Sequence, residues 1–261
     1  MKVIAFINQK GGVGKTTTCL NVGAALSLCG FKCLLVDMDI GDLSQSAGFT
    51  EIGDDEPTVY EVLKGLDINA AIRSHNGRYD VLPSDERLSA GEIDFATDKK
   101  RNTLLRSALG KLSKPYDFVL VDCPPTLSVF TTIALSAADE VIIPVQAQYL
   151  PLSGVSRVIR TAELVKSRFN GKLEIGGVVL TYYDGRRNLD TEVLDALSGY
   201  FGDKVYKTTI STSTKLGQAP SHGKDIFEYS PKSVVAKQYR ELAGEIARNM
   251  KPQKKERGSR K

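Results

Sequence analysis

Short, uninterrupted apolar runs recur along the chain, separated by stretches with helical periodicity. The runs predict strands over residues 3–8, 33–37, 79–83, 118–122, 140–145, 175–181 and 204–207. Several of them, such as FVLVD, CLLVD and VIIPV, lack polar alternation, which is the pattern of strands covered on both faces in a parallel sheet. Helix-length segments fill the intervals. One covers residues 15–29. Another covers 99–112, where Leu104, Leu105, Ala108, Leu109 and Leu112 recur at helical spacing, and the last covers 232–250, with Val235, Tyr239, Leu242 and Ile246 on one stripe. This alternation predicts an α/β fold: a doubly wound, mostly parallel sheet with helices on both faces. No internal repeat or linker interrupts it, so residues 1–250 read as a single domain. Residues 251–261, KPQKKERGSRK, have charge but no apolar face and are expected to form a basic, disordered tail.

Composition changes this picture only at its edges. With 41% hydrophobic and 25% charged residues over 261 positions, the chain has ordinary globular composition, which excludes a fully disordered or fibrous protein. The formal charge of +4 is local: the last eleven residues contribute +5, leaving the other 250 with 29 basic and 30 acidic residues. Any nucleic-acid surface on the fold must therefore be a patch and not a global field. The four cysteines, Cys19, Cys29, Cys33 and Cys123, form no CxxC pair and read as reduced thiols. The opening MKVIAFINQ is too soon interrupted to be expected as a signal peptide, and no apolar run reaches 18 residues, so no membrane span is expected.

The strongest chemical signal is Lys10-Gly11-Gly12-Val13-Gly14-Lys15-Thr16-Thr17, placed directly after the first apolar run and opening the first helix. Phosphate needs donors without steric bulk. Glycines let backbone N–H groups turn inward, the helix N-terminus adds positive potential, and Lys15 supplies a cation. Thr16 is placed to offer its hydroxyl to Mg²⁺. The strict G-x-x-x-x-G-K-S/T pattern fails at one position, where Gln9 replaces the first glycine, and Lys10 adds a second lysine. Two further runs end in acids: CLLVDMD in Asp37 and Asp39, and FVLVD in Asp122. Strand ends gather the ligand site of a doubly wound sheet, and ATP hydrolysis needs both a metal to offset phosphate charge and a group to orient water. Taken singly, each acid also fits a capping or solvated strand-end carboxylate.

The segment NQKGGVGKTTT resembles the deviant Walker A loop of the ParA/MinD family of P-loop ATPases. The resemblance implies ATP and Mg²⁺ as cofactors, with residues 10–17 on the nucleotide and Lys10 reaching across an ATP-bound homodimer to the partner's nucleotide. It implies that Asp122 is the Walker B aspartate acting on Mg²⁺, that Asp39, also near the metal, positions the water, and that Asp37 supports the site. Lys10, Lys15 and Asp39 are the implied catalytic set, and Pro124, Pro125 and Thr126 match switch II. The chain departs from the partition-ATPase pattern after the switch I aspartate, reading Asp39-Ile40-Gly41-Asp42 where Pro-Gln-Gly is usual.

From Ala137 onward, AADEVIIPVQAQYLPLSG, LTYYDGRRNL, LGQAPSHGKDI and YSPKSVVAKQYRELAGEI resemble the ParA/Soj subgroup, so the likeness covers nearly all of residues 1–250. It implies nonspecific binding of double-stranded DNA through Arg186, Arg187 and Lys215, a charge contact that needs no base-edge geometry. Relatives carry Ile-Pro-Arg-Asn-Val-Arg where this chain reads Ile210-Ser211-Thr212-Ser213-Thr214-Lys215, and adenine selectivity is expected from backbone contacts around Ser211. Arg157, Arg160, Lys166 and the tail lysines read as solvated charges.

The function implied is an ATP-dependent dimerisation switch that hydrolyses ATP slowly under a ParB-type partner and segregates plasmid or chromosome DNA, in the cytoplasm and on the nucleoid. With the loop opening at Lys10, no amino-terminal helix-turn-helix domain and no operator binding are expected. Four other readings stand beside it. A MinD-like membrane switch needs an apolar helix face, and residues after Met250 include no Leu, Ile, Phe or Val. A nitrogenase-type iron protein needs two bridging cysteines per subunit, and Cys123 stands alone beyond Cys33. A metabolic enzyme of the dethiobiotin-synthetase kind, or an orphan ParA that positions a non-DNA cargo, would use the same phosphate chemistry.

Overall fold

The computed structural model describes residues 1–147 and 151–249; the expected tail at 251–261 lies outside them. Eight strands form one sheet: β1 (Lys2–Phe6), β2 (Cys33–Asp37), β3 (Arg73–His75), β4 (Tyr79–Leu82), β5 (Phe118–Asp122), β6 (Glu140–Gln146), β7 (Glu174–Tyr183) and β8 (Ile210–Ser211). Their order is β3-β4-β2-β5-β1-β6-β7-β8, and every neighbouring pair is parallel except β3–β4. Early strands lie on one side of β1 and late strands on the other, so the chain leaves the sheet centre in two directions. The carboxyl end of β1 is therefore the place where a doubly wound sheet opens a crevice.

The apolar runs are continuous because each strand feeds two cores. Val3, Ala5 and Ile7 join one buried cluster with Leu34, Val36, Val119 and Val121, while Ile4 and Phe6 join the other with Leu35, Phe118 and Leu120. Alternate side chains point to opposite faces, so both faces must be apolar. On one face lies helix α1 (Lys15–Leu28). A Cβ at Gly23 would stand 2.8 Å from Leu35 Cδ1, so only a glycine lets α1 sit this close to β2. Beside it packs the last helix, Val234–Asn249, whose Val235, Tyr239, Leu242 and Ile246 are all buried in the same cluster. The Tyr239 and Thr18 hydroxyls meet at 3.4 Å across that contact.

Two local expectations are corrected and one unexpected strand is added. Residues 204–207 are not a strand: Gly202–Lys204 is a 3-10 turn and Val205 makes a single bridge to Val178. The edge strand falls instead at Ile210–Ser211. The helix expected over 99–112 is a 3-10 turn at Arg101–Thr103 followed by a short helix, Leu104–Leu109. The polar strand β3 carries no apolar signal of its own. It pairs with β4 across Asn76, Gly77 and Arg78: Asn76 and Gly77 have φ values of 51° and 71°, and the Arg78 N–H donates to His75 O at 3.0 Å to close the turn. No helix among the described residues is long and apolar enough to cross a membrane.

Candidate nucleotide site

The glycine loop is pinned at both ends before it reaches α1. Asn8, buried after β1, donates its Nδ2 to Pro144 O at 2.7 Å, and its Oδ1 accepts the Lys10 N–H at 3.0 Å. From the other side, the Thr181 hydroxyl donates to Val13 O at 2.8 Å, and Val13 is itself buried. Gly12 and Gly14 sit at φ 73° and 81°, a left-handed backbone that side chains rarely adopt. Gly14 caps α1 without a side-chain hydrogen bond, which leaves the first-turn N–H groups for an anion. Lys15, at the head of α1, is only 7% exposed. Tyr182 closes the loop from β7: its backbone is left-handed (φ 54°), it marks a register shift between Thr181 and Tyr183, and its ring lies 3.6 Å from where a Gly14 Cβ would be.

The strand-end acids meet beside this loop. Asp122 is in register with Phe6 of β1 on one side and with Asp37 of β2 on the other. Both carboxylates are fully buried. Asp37 accepts three hydrogen bonds: from the Asp39 N–H (3.0 Å), the Ser44 N–H (2.8 Å) and the Ser44 hydroxyl (2.6 Å). Ser44 Oγ in turn accepts the Ser84 N–H at 2.9 Å, so Asp37 anchors the turn that carries Asp39. Burial lifts the Asp37 carboxyl to about 7 in spite of these bonds.

Asp122 has the opposite fate. Neither of its oxygens has a completed hydrogen bond among the described residues. Burial first, then the Asp37 charge, push its pKa well up, while the Thr16 hydroxyl and the Lys15 ammonium pull it down. Asp39 is half-buried and accepts the Ile40 N–H at 2.9 Å. Burial and the Asp42 charge raise its pKa, with Lys15 acting against them. The chemistry of these donors fits a hard cation: two orphaned carboxylate oxygens and a threonine hydroxyl, all oxygen, at the foot of an anion-binding loop. Gln9 Nε2 is a second buried group without a partner, a donor standing next to the loop.

The remaining expected residues lie apart from this cluster. Arg186 and Arg187 follow β7 and share Asp184. Arg186 clasps it in two bonds, Nε to Oδ1 at 2.9 Å and a terminal nitrogen to Oδ2 at 2.8 Å, and Arg187 Nε approaches to 3.9 Å. The Asp184 carboxyl is held down at about 2, chiefly by the hydrogen bonds from Arg186. Lys215 opens a separate short helix and donates to Ser230 Oγ at 3.1 Å. The Ser211 N–H donates to Gln238 Oε1, so that backbone donor is already taken.

Asn8, Ser44, Thr181, Tyr182 and Gln238 escape the sequence reading. Asn8 and Ser44 lie within a few residues of the motifs, and a polar residue directly after a wholly apolar strand was the available signal for Asn8. Thr181 and Tyr182 come from a strand far away in sequence and gave none.

Comparisons with known proteins agree with the geometry. A family model described as an AAA domain matches residues 1–175. The sporulation initiation inhibitor protein Soj of Bacillus subtilis (strain 168) is 43% identical over 252 residues, covering 95% of this chain and 99% of that protein. The chromosome partitioning protein ParA of Caulobacter vibrioides (strain NA1000 / CB15N) is 41% identical over 251 residues, 94% of each chain. Among solved structures, a cobyrinic acid a,c-diamide synthase from Mycobacterium smegmatis, with bound ATP analog and magnesium, is similar at a TM-score of 0.85 and 34% identity over 96% of each chain.

Proposed function

The chain belongs to the ParA/Soj family of P-loop ATPases, and from that premise we propose that it is the ATP-gated switch of a DNA partition system. ATP and Mg²⁺ are its cofactors. The loop N–H groups and Lys15 bind the phosphates, with Gly11, Gly12 and Val13 lining the turn and Thr16 and Thr17 continuing it into α1. Thr16 and Asp122, with Asp39 beside them, would hold Mg²⁺, whose bound charge offsets that of the phosphates during transfer to water. Asp39 orients the attacking water, and Asp37 fixes Asp39 by accepting its N–H. Lys10 reaches the nucleotide of a second copy, so ATP joins two chains into a dimer.

In the dimer, Arg186, Arg187 and Lys215 present positive charge to DNA phosphates of any sequence. Hydrolysis, slow in the protein alone and stimulated by a ParB-type partner on the cargo, ends that state. The protein would thus work in the cytoplasm on the nucleoid, as one domain over residues 1–250 with a basic tail beyond.

The observation that carries this reading is Asp122: a buried carboxylate with only the Thr16 hydroxyl beside it and no hydrogen bond of full geometry among the described residues is costly unless a cation completes it. The test is ATP turnover and DNA retention by the pure protein. Turnover should require Mg²⁺, and retention on random duplex should require ATP; retention that is equal with ADP would remove the switch. A second reading follows from the Mycobacterium smegmatis likeness, whose name is that of a biosynthetic enzyme. A chain of that kind would turn over ATP only with a carboxylic acid substrate, and DNA would have no effect.

A further inference from the structure

β8 is the last strand on its side of the sheet, so its outward backbone groups have no neighbouring strand. Side chains of the last helix bond this edge and the segment that leads into it. The Glu245 carboxylate accepts the N–H groups of Lys207 and Thr208, each at 2.9 Å, and also the Thr208 hydroxyl. Two turns earlier on the helix, Gln238 Oε1 accepts the Ser211 N–H at 3.0 Å, and Gln238 Nε2 donates to the Ser211 hydroxyl at 2.8 Å. On its inner side Ser211 is in register with Tyr183, across the shift at Tyr182. The next residue, Thr212, donates its hydroxyl to Tyr182 O at 3.2 Å, and Tyr182 is the residue that lies over Gly14 of the phosphate loop.

We propose that Gln238 is a positioning residue for base recognition, locking Ser211 and, through the Thr212 bond to Tyr182, the segment next to the phosphate loop. The proposal rests on the reading of the chain as an ATPase with Ser211 on the base side. A base is told from its analogues by donors and acceptors held on a rigid frame. A strand of two residues, paired on one side and broken by a register shift, has little rigidity of its own. An amide side chain matches it group for group: one acceptor for the N–H, one donor for the hydroxyl oxygen. An apolar residue at 238 would leave both Ser211 groups unpaired in a half-buried place. Proline at 211 has neither an N–H nor a hydroxyl, is tolerated on an edge strand, and would need no such partner.

The test is calorimetric titration of the full chain with ATP and with GTP, in Mg²⁺, for wild type, Gln238→Val and Gln238→Val with Ser211→Pro. Loss of two hydrogen bonds at Ser211 should cut the ATP-over-GTP preference of Gln238→Val roughly five- to tenfold, with the loss falling on ATP. The double variant should recover the preference. A preference that is unchanged in Gln238→Val, or equal weakening of both nucleotides with a lower melting temperature, would reduce Gln238 to a structural residue and overturn the proposal. Wild type that binds both nucleotides alike would remove base recognition at Ser211, and wild type that binds neither would remove the ATPase reading itself.

Discussion

Asp37 and Asp122 stand opposite one another in register on β2 and β5, both fully buried, yet one carboxylate accepts three hydrogen bonds and the other has none completed. The difference divides their work. Asp37 spends its lone pairs on the turn that carries Asp39, and Asp122 keeps its own for something the polypeptide does not supply. Burial is the first cause of the raised pKa of each; the Asp37 charge adds to the rise at Asp122, and the Asp39 charge adds to the rise at Asp37.

The pair sets a pH dependence with a definite sign. Asp37 titrates near 7 in the folded protein and near about 4 in an unfolded chain. Between those values the folded form keeps a proton that the unfolded form has released, so this part of the stability is present below about pH 4 and is lost as pH rises towards 7. Asp37→Asn removes the titration. Its melting temperature minus that of wild type, measured without nucleotide, should rise as pH goes from about 5 to 8; a difference that falls over this range would contradict the assignment.

Lys15→Ala should abolish nucleotide binding while leaving the fold intact. Lys15 heads α1 and its charge acts on both Asp39 and Asp122, so its loss removes the cation from the phosphate side and raises the repulsion between the acids. Fluorescent ATP should no longer bind to a protein of native circular dichroism. Binding retained within a few fold would mean that the loop N–H groups suffice.

The arginine loop is already holding a carboxylate, so DNA phosphate must compete with Asp184 for Arg186. Arg186→Ala with Lys215→Ala should weaken binding to every duplex and lower the salt slope by roughly two. Asp184→Asn should strengthen it. Unchanged retention of the double variant on DNA would place the DNA surface elsewhere.

Thiol chemistry follows burial. Cys29 is exposed, whereas Cys19, Cys33 and Cys123 are buried. Burial pushes the Cys33 thiol up to about 12 and also raises Cys19 and Cys123. A disulfide reagent at pH 8 should therefore titrate one thiol in the native protein and four after denaturation, and Cys29→Ser should leave none that reacts in the native state. Fast reaction of Cys19 or Cys123 would show that the core around Asp122 opens.

What the sequence could tell was what is local. The phosphate loop announced itself because glycines, lysine and threonine follow one another within a single turn, and the acids because each ends a wholly apolar run. The strand expected over 204–207 failed for a reason no single-strand pattern contains: Tyr206 lies within 2.5 Å of where a Gly177 Cβ would be, and the amides of Lys207 and Thr208 turn to Glu245 on the last helix. On that helix Gln238 and Glu245 look like ordinary polar positions beside the Leu242–Ile246 stripe, and only the tertiary fold shows that Gln238 serves β8 and Glu245 the segment before it. The hairpin turn at Asn76 and Gly77 was, by contrast, a readable signal that the polarity of β3 concealed.

The central claim is that ATP joins two copies of this chain. Sedimentation velocity of the pure protein with Mg²⁺ and a non-hydrolysable ATP analog tests it most directly, alongside Asp39→Ala with ATP. The protein should sediment as a monomer without nucleotide and as a dimer with the analog, and Asp39→Ala should form a dimer with ATP that persists while its turnover falls roughly a hundredfold. A single sedimenting species, the same with and without the analog, would contradict it.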